Sequence, residues 1–366
     1  MITFQKFFRP LLLLGGIGCT LVYLYACLTP YISPIDIHYL SFGALFFPIV
    51  FFGMFIWTIL SLLFYRKYFF IFLICLALGY QNIITVFAFN ARETFVAKKQ
   101  KDAIRILSWN VNSFLSGGNL DTVHTAEMLQ FIKQSDADIL CFQDYSSFPY
   151  PIDASTHFIS KDNGLPYTFF SEADANYGVI VFSKWPIIRT GSIPYTNIES
   201  LEKLQYADIQ TPSGVLRVFN THFASMNIHV GLMDHAQVKK LKFIHYDTAI
   251  LLRKDKLWRL AYFDRLHVQQ AMLVKQAMDS SAEPYIFTAD LNAVPSSYVY
   301  HHLRKGMKDV FMEKGFGMGR TYDSLSPTLR IDVMLTSHGI KTIQYQAPRL
   351  HLSDHLPIIS DIQINP

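Results

Sequence analysis

The chain has 366 residues and little cysteine, and what it has is poorly placed for cross-linking. Cys19, Cys27 and Cys75 lie in apolar segments, which leaves Cys141 alone in the polar remainder. A disulfide framework within that remainder is excluded, although a domain with a sizeable core can dispense with one. Charge is missing in a patterned way. The stretches Leu11–Leu28, Tyr39–Phe64 and Tyr68–Phe89 contain no Lys, Arg, Asp or Glu. Each is long enough to cross a bilayer, and buried helices of soluble cores seldom run so far uncharged. Internal repeats and low-complexity tracts are absent.

A basic excess is also missing where nucleic-acid binding would need it. The whole chain carries a formal +4, but residues 104–366 hold 24 Lys and Arg against 25 Asp and Glu. The positive balance lies in the flanks of the apolar stretches, so it says nothing for a nucleic-acid face on the rest. Those flanks set an orientation. Lys6 and Arg9 precede the first stretch, the loop Thr29–His38 has no Lys or Arg, and Arg66 and Lys67 separate the second from the third. The positive-inside bias then expects a cytoplasmic N-terminus and three crossings, with the C-terminal domain outside the cytoplasmic membrane. Cleavage of the first stretch as a signal segment would leave the domain on the same side. The expected division is a membrane region over residues 1–92, with transmembrane helices at about 11–28, 39–64 and 68–89. A charged linker follows over 93–102, then a catalytic domain over 103–366.

From Ile104 onward, strand-length apolar runs alternate with helical patterns. Thr125–Gln134 places Met128, Leu129 and Ile132 on one helical face. Tyr206–Gln210 and Val215–Phe219 flank Thr211-Pro212-Ser213-Gly214, a hairpin signal, and Val179–Phe182 reads as a short buried strand. Mixed α/β with packed sheets covered by helices fits better than an all-parallel doubly wound sheet.

Polar residues collect where the apolar runs end. Ile104–Leu107 leads into Ser108-Trp109-Asn110-Val111-Asn112, and Ile139–Phe142 into Gln143-Asp144. Val215–Phe219 leads into Asn220-Thr221-His222, and Tyr285–Ala289 into Asp290-Leu291-Asn292. Arg330-Ile331-Asp332 opens Val333-Met334-Leu335, and Ser353-Asp354-His355 precedes Leu356-Pro357-Ile358. Sites built this way stand on rigid elements. Asp, Asn and His without Cys suit a hard cation and a phosphate better than zinc or a covalent nucleophile.

These motifs in this order, with Gly178–Ile187 (GVIVFSKWPI), resemble the endonuclease/exonuclease/phosphatase superfamily of the DNase I-like fold over about residues 103–366. The resemblance implies a four-layer α/β sandwich, here preceded by three transmembrane helices. It also implies one or two Mg2+ or Mn2+ ions and hydrolysis of a phosphate ester. Breaking a P–O bond with water needs charge stabilisation on phosphoryl oxygens, an oriented water and help for the leaving oxygen. In that scheme Asp144, Asn110 and Asp354 form the metal side. Asp290 orients and deprotonates the water, and Asn292 donates to a phosphoryl oxygen. Asp332 keeps His355 cationic, and His222 is the second imidazole on the phosphate. The alternatives are turn capping by Asn110 and Asn292, pairing of Asp332 with Arg330, and a buried structural His222. The other histidines, His235, His245, His267, His301 and His302 among them, read as surface residues.

Two positions depart from the family pattern. Asp144 stands where the family usually carries Glu, one methylene longer. Nucleases of the fold back the first catalytic histidine with a Glu, and the equivalent here is Asn176. That departure weakens a nuclease reading. Nucleases, sphingomyelinases and inositol-phosphate phosphatases share the fold, so the substrate stays open among a lipid head group, a small phosphoester and nucleic acid. Membrane anchoring and a near-neutral domain favour the first two, and a silent binding protein retaining the fold is the alternative from another class. Between residues 239 and 265, Lys239, Lys240, Lys242, Arg253, Lys254, Lys256, Arg259 and Arg265 interleave with Trp258, Tyr262 and Phe263. This is either a solvated helical face or a contact for anionic lipid.

Overall fold

In the computed structural model, the apolar stretches of the N-terminal quarter form helices. The described residues are 2–37, 39–115, 121–146, 152–174, 177–195, 201–225, 256–323, 326 and 328–364. Helices α1 (Ile2–Leu28) and α2 (Phe42–Phe64) contain segments long and apolar enough to cross a membrane, Pro10–Leu28 and Phe42–Phe64. Their outer faces leave Leu14, Leu21, Ile49 and Leu63 more than 60% exposed, which suits hydrocarbon and not water.

The third stretch departs from the expectation of one straight span over 68–89. It is a bent pair, α3 (Arg66–Leu78) and α4 (Tyr80–Val86), meeting at 52° around Gly79. Thirteen residues in α3 cover only about 20 Å at 1.5 Å per residue, short of a hydrocarbon core of ~30 Å. The cause is local. The Tyr23 hydroxyl occupies the space a Cβ at Gly79 would need, and it donates to the Leu76 carbonyl at 2.8 Å. A carbonyl at the break thus keeps a partner away from water. Past α4 the chain turns into strand β1 (Ala88–Phe89).

The bent pair still returns the chain to the side from which α2 descends. Pro10 and Leu13 of α1 share a surface depression with Phe64–Tyr68 at one end of the bundle. At the other end Thr29, Ala44 and Thr85 all touch the C-terminal domain.

That domain follows from the alternating runs. Strand β2 (Ile104–Asn110), helix α5 (Thr122–Gln134), β3 (Ile139–Ser146), α6 (Ile152–Asn163), β4 (Tyr167–Asp174), β5 (Tyr177–Ser183) and β6 (Ile187–Pro194) come first. The hairpin β7 (Lys203–Thr211) and β8 (Gly214–His222) turns at Thr211–Gly214, as the Pro-Ser-Gly signal expects. Helix α7 (Lys256–Asp279), β9 (Tyr285–Asp290), α8 (Tyr298–Arg304), β10 (Lys308–Asp309), α9 (Val310–Lys314) and β11 (Phe316–Gly317) follow. The last strands are β12 (Asp332–Thr336), β13 (Ile340–Gln346) and β14 (Ile358–Ile364).

Two six-stranded sheets result, ordered β10-β12-β9-β8-β7-β6 and β13-β14-β2-β3-β5-β4. Each is antiparallel except for one parallel pair, β8 with β9 and β2 with β3. Their inner faces meet in an aliphatic layer that includes Ile106, Val181, Leu216, Ile286 and Met334. A second cluster packs α7 and α8 on the first sheet through Val274, Met278 and Leu303. A third packs α5 and α6 on the other sheet through Met128, Ile132 and Ile159. The expected four layers are present, with α5 burying Met128 and Ile132 from the face read in the sequence.

Residues 93–102 do not behave as a free tether. Val96 N–H donates to Gln344 Oε1 at 2.9 Å, and the Arg105 guanidinium donates to the carbonyls of Val96 and Ala97 while lying over Phe95. The membrane region is likewise docked. Strand β1 pairs with β11, Thr29 Oγ1 donates to the Ser296 carbonyl (2.7 Å), and Ser296 Oγ donates to the Ala44 carbonyl (2.7 Å). Arg330, fully buried, donates to the Thr85 carbonyl at 3.1 Å and to Asp309 Oδ2 at 2.5 Å.

Removing Arg330 should therefore strand a buried carboxylate at the junction. Arg330→Met is expected to cost about 3 kcal/mol, or roughly 6–12 °C in the thermal midpoint of the detergent-solubilised chain. A shift below about 2 °C would show that Asp309 is neutralised by some other means.

Candidate active site

The two parallel strand pairs end at one place. Asn110 is level with Gln143 across β2 and β3, and His222 with Asp290 across β8 and β9. Face-to-face packing of the sheets brings both ends together. Asn110 Nδ2 donates to Asp144 Oδ2 at 2.9 Å in its own sheet and to Asp290 Oδ2 at 3.0 Å in the other. One layer below, Gln143 Nε2 donates to Asn220 Oδ1 at 2.7 Å and to Ser108 Oγ at 3.1 Å. Motifs far apart in the chain thus form a continuous buried network between the sheets.

Local backbone geometry aims these side chains. The N–H groups of Asn112 and Asn292 donate back to Asn110 Oδ1 (3.0 Å) and Asp290 Oδ1 (2.9 Å). Both Asn112 and Asn292 have positive φ, 44° and 48°. Asn tolerates that left-handed region, so each strand ends in a tight turn closed by its own last side chain. Asp144 also has positive φ, 49°, where the β3–β5 register shifts between Phe142 and Tyr145. The bulge re-aims the Asp144 carboxylate.

His355 is fixed from three sides. Trp109 Nε1 donates to its carbonyl (2.9 Å), its N–H donates to Ser353 Oγ (3.1 Å), and its Nδ1 lies 2.9 Å from Asp332 Oδ2. Nε2 then points toward Asp290 Oδ2, 3.6 Å away. Asp332 sits directly across the ladder from Asp290, and Thr321 Oγ1 accepts the N–H groups of Ile331 and Asp332 at 3.0 Å each. Arg330, the alternative partner of Asp332 in the sequence, is committed to Asp309.

His222 faces Asp290 Oδ2 (3.5 Å) and Asn292 Nδ2 (3.2 Å) through Nε2. Its Nδ1 meets Asp144 Oδ1 at 2.9 Å and Glu202 Oε1 at 3.3 Å, with the Tyr177 hydroxyl at 3.5 Å. Tyr177 also hydrogen-bonds to Asp144. Neither Tyr177 nor Glu202 was legible in advance. Asn176, the sequence candidate behind His222, lies outside the described residues. Glu202 lies just before β7 and not on β5, where the family pattern puts its Glu, so a carboxylate beside His222 is present from another direction. Tyr177, next to Asn176 at the start of β5, was the nearest available signal.

Asp354 is half-buried and lines the same cavity, but the two tight clusters of ligand-type groups among the described residues are Asp144, Glu202, His222 and Asp290, Asp332, His355. His267 corrects an expectation. It is fully buried, not on the surface, and its Nε2 lies 2.7 Å from the Ala224 carbonyl, with its pKa pushed down to about 4 mainly by burial. Of the 239–265 stretch, Lys239, Lys240, Lys242, Arg253 and Lys254 lie outside the described residues. Arg259 is 3% exposed, so it is not part of a solvated cationic face.

Burial opposes the charge on both imidazoles, and the carboxylates outweigh it. Asp332, then Asp290, push His355 up to about 10, while Asp144 and Glu202 hold His222 well above its ordinary value. Burial would raise Asp144, but His222 and hydrogen bonds from His222, Tyr177 and Asn110 keep it below the usual carboxylate range. Burial raises Asp290 to about 6, with Asp332 adding to the shift and both histidines opposing it.

The donor set fits a hard divalent cation. The carboxylates Asp144, Glu202, Asp290, Asp332 and Asp354 outnumber the two imidazoles, and no Lys or Arg lines the cavity among the described residues. Oxygen-rich donors with excess negative charge are what Mg2+ or Mn2+ takes. Asn110 presents its amide nitrogen to both carboxylates, so ligation through its oxygen requires turning the amide and releasing Asn112 N–H. The cavity measures about 460 Å3, and Leu45, Phe46 and Ile49 of α2 form part of its wall.

A family model described as the endonuclease/exonuclease/phosphatase family matches residues 107–355, and one for a domain of unknown function (DUF8431) matches residues 7–86. No curated protein matches the chain. An endonuclease/exonuclease/phosphatase from Beutenbergia cavernae is similar at 16% identity and a TM-score of 0.53, over 72% of this chain and 72% of that one. The human nocturnin catalytic domain with bound sulfate is similar at 14% identity and 0.52, over 73% and 96%. A humanised D. rerio TDP2 is similar at 16% identity and 0.51, over 72% and 100%. At such identities the likeness is one of fold.

The His355–Asp332 pair makes a pH-dependent prediction for the metal-free chain. Because folding raises the His355 pKa, the stabilisation is complete below about 6.5, the ordinary imidazole value, and is lost as pH rises through about 10. Asp332→Asn should cost about 3 kcal/mol at pH 6 and progressively less toward pH 10. Denaturant unfolding across that range checks it. A cost independent of pH would mean the imidazole is not held cationic.

Proposed function

The chain belongs to the endonuclease/exonuclease/phosphatase family, whose members are metal-dependent hydrolases of phosphate esters, and on that premise we propose that it is a membrane-anchored phosphoesterase. It cleaves a phosphodiester or phosphomonoester outside the cytoplasmic membrane, on a lipid head group or small phosphoester. The observation that carries this reading is convergence. Asp290, Asn292, His222 and His355 line one cavity at the ends of β8 and β9, with Asp332, at the start of β12, bound to His355.

Asp290 takes the proton of the attacking water. Its pKa near 6 in the metal-free chain suits a base that is ionised at neutral pH yet retains proton affinity. Asn292 Nδ2 donates to a phosphoryl oxygen beside His222, whose imidazolium stabilises the charge developing on phosphorus. His355, kept cationic by Asp332, donates to phosphate oxygen or to the leaving alkoxide. Asp144 and Asp354, with Asn110 after its amide turns, would hold the divalent cation, which supplies further charge neutralisation of the phosphoryl group.

The lipid or small-molecule substrate is favoured over nucleic acid by the cavity lining. The fold neighbour D. rerio TDP2 is complexed with single-strand DNA product. Here, among the described residues, no Lys or Arg lines the cavity to meet successive phosphates. The external location is supported by the bundle geometry, since Arg66 and Lys67 stand at the end away from the domain.

Asp290→Asn and His355→Ala should each lower Mg2+- or Mn2+-dependent hydrolysis of bis-p-nitrophenyl phosphate by about 100-fold or more. Both variants should keep a cooperative unfolding transition, and near wild-type turnover in either sinks the role assignment. A reporter fused after Pro366 should be active only on the external face, and cytoplasmic activity would refute the orientation.

A further inference from the structure

The candidate cavity is lined by polar residues on one side and apolar residues on another. Its polar floor is the Asp290, Asn292 and His355 constellation, and one wall is Leu45, Phe46 and Ile49 from the first turns of α2. Ile49 neighbours both Leu45 (i, i+4) and Phe46 (i, i+3) on the helix surface, so the three form a continuous apolar strip. Phe46 is 56% exposed and Ile49 63%, although both belong to the membrane-crossing segment Phe42–Phe64. From α7, Leu260 adds to the apolar lining, as do Leu329 and Ile331.

Floor and wall are held in fixed relation. Ser296, four residues after Asn292, donates to the Ala44 carbonyl, and Ala44 packs on Val294 and Ile331. Ile49 lies only about 7.5 Å further along α2 at 1.5 Å per residue. The apolar strip therefore begins within two turns of the contact that anchors α2 beside the Asp290 strand end.

We propose that the substrate is a membrane-resident phosphoester, a phosphate ester bearing a long hydrocarbon chain. It enters the cavity sideways from the leaflet facing the domain, with its chain along Leu45, Phe46 and Ile49. This rests on the phosphoesterase reading and narrows it to one substrate class, with α2 as part of the substrate site. A polar, water-borne substrate would press its hydration shell against Phe46 and Ile49, leaving polar groups unpaired. An alkyl chain coming from the leaflet stays in apolar surroundings there and is spared the cost of about 0.8 kcal/mol for each methylene that exposure to water would carry. The step is plain hydrolysis. Water oxygen bonds to phosphorus, the ester P–O bond breaks, the water proton goes to Asp290, and the leaving oxygen departs with the bonding pair.

Two probes with the same scissile bond, hexadecyl p-nitrophenyl phosphate and ethyl p-nitrophenyl phosphate, separate the possibilities. Each releases p-nitrophenolate from the full chain in phosphatidylcholine nanodiscs with Mg2+ or Mn2+. The ratio of their kcat/KM values is read within one preparation, so the fraction of folded protein cancels. Wild type should prefer the hexadecyl ester by at least 100-fold. Phe46→Ala, which removes the wall, and Ile49→Trp, which crowds it, should each reduce that preference at least 10-fold. Equal use of both esters overturns the lipid proposal and leaves the phosphoesterase reading standing. A preference unchanged in both variants also overturns it, because membrane concentration alone would then explain the ratio. Hydrolysis of neither ester, nor of bis-p-nitrophenyl phosphate, rejects the phosphoesterase reading and the proposal together.

Discussion

An excess of buried negative charge is the constraint on which the rest of the structure depends. Asp290, which shares the Asn110 amide with Asp144 and faces Asp332 across the ladder, is buried with Asp332 at the meeting ends of two sheets, and Asp144 is largely covered beside them. Unpaired, they would cost several kcal/mol each. The fold responds with devices already described: an amide bridging two carboxylates, two imidazoles held cationic, and turns that spend backbone N–H groups on side-chain oxygens. What these leave over is a negative balance that a divalent cation fits. The metal requirement of the family is thus a property of the packing, not only of a ligand list.

Much of this was legible because strand ends advertise themselves. Asp290-Leu291-Asn292 and Asn110-Val111-Asn112 are each a carboxylate or amide followed two residues later by Asn, and both form the same side-chain-closed turn. The hairpin at Pro212-Ser213-Gly214 and the amphipathic face of α5 were readable for similarly local reasons. The partners of His222 were not. Glu202 approaches from the start of β7, and its position depends on sheet order, which a single sequence does not encode locally. Nor was the commitment of Arg330 to Asp309 apparent, since Asp332 is closer in sequence and only the sheet geometry turns the two apart. His267 looked like a surface residue by type, yet it clamps the Ala224 carbonyl just past His222.

The third apolar stretch shows where hydropathy stops being informative. Composition alone reads Tyr68–Phe89 as one span, because every residue in it tolerates hydrocarbon. The break at Gly79 comes from Tyr23, more than fifty residues away, whose ring needs the volume a side chain would fill and whose hydroxyl serves a carbonyl at the break. Long-range packing, not local propensity, bends the segment.

That bend is what makes the membrane region part of the enzyme. The bent segment delivers the Thr85 carbonyl to Arg330 and Ala88–Phe89 to β11, while Thr29 and Ala44 reach Ser296 from the other two helices. Contacts from three helices fix both height and rotation, which a flexible tether could not do. Because Val294 and Ser296 lie two and four residues after Asn292, the same contacts fix the strand end that carries Asp290 relative to α2. A domain so fixed holds its cavity in one relation to α2, the condition on which the lipid proposal depends.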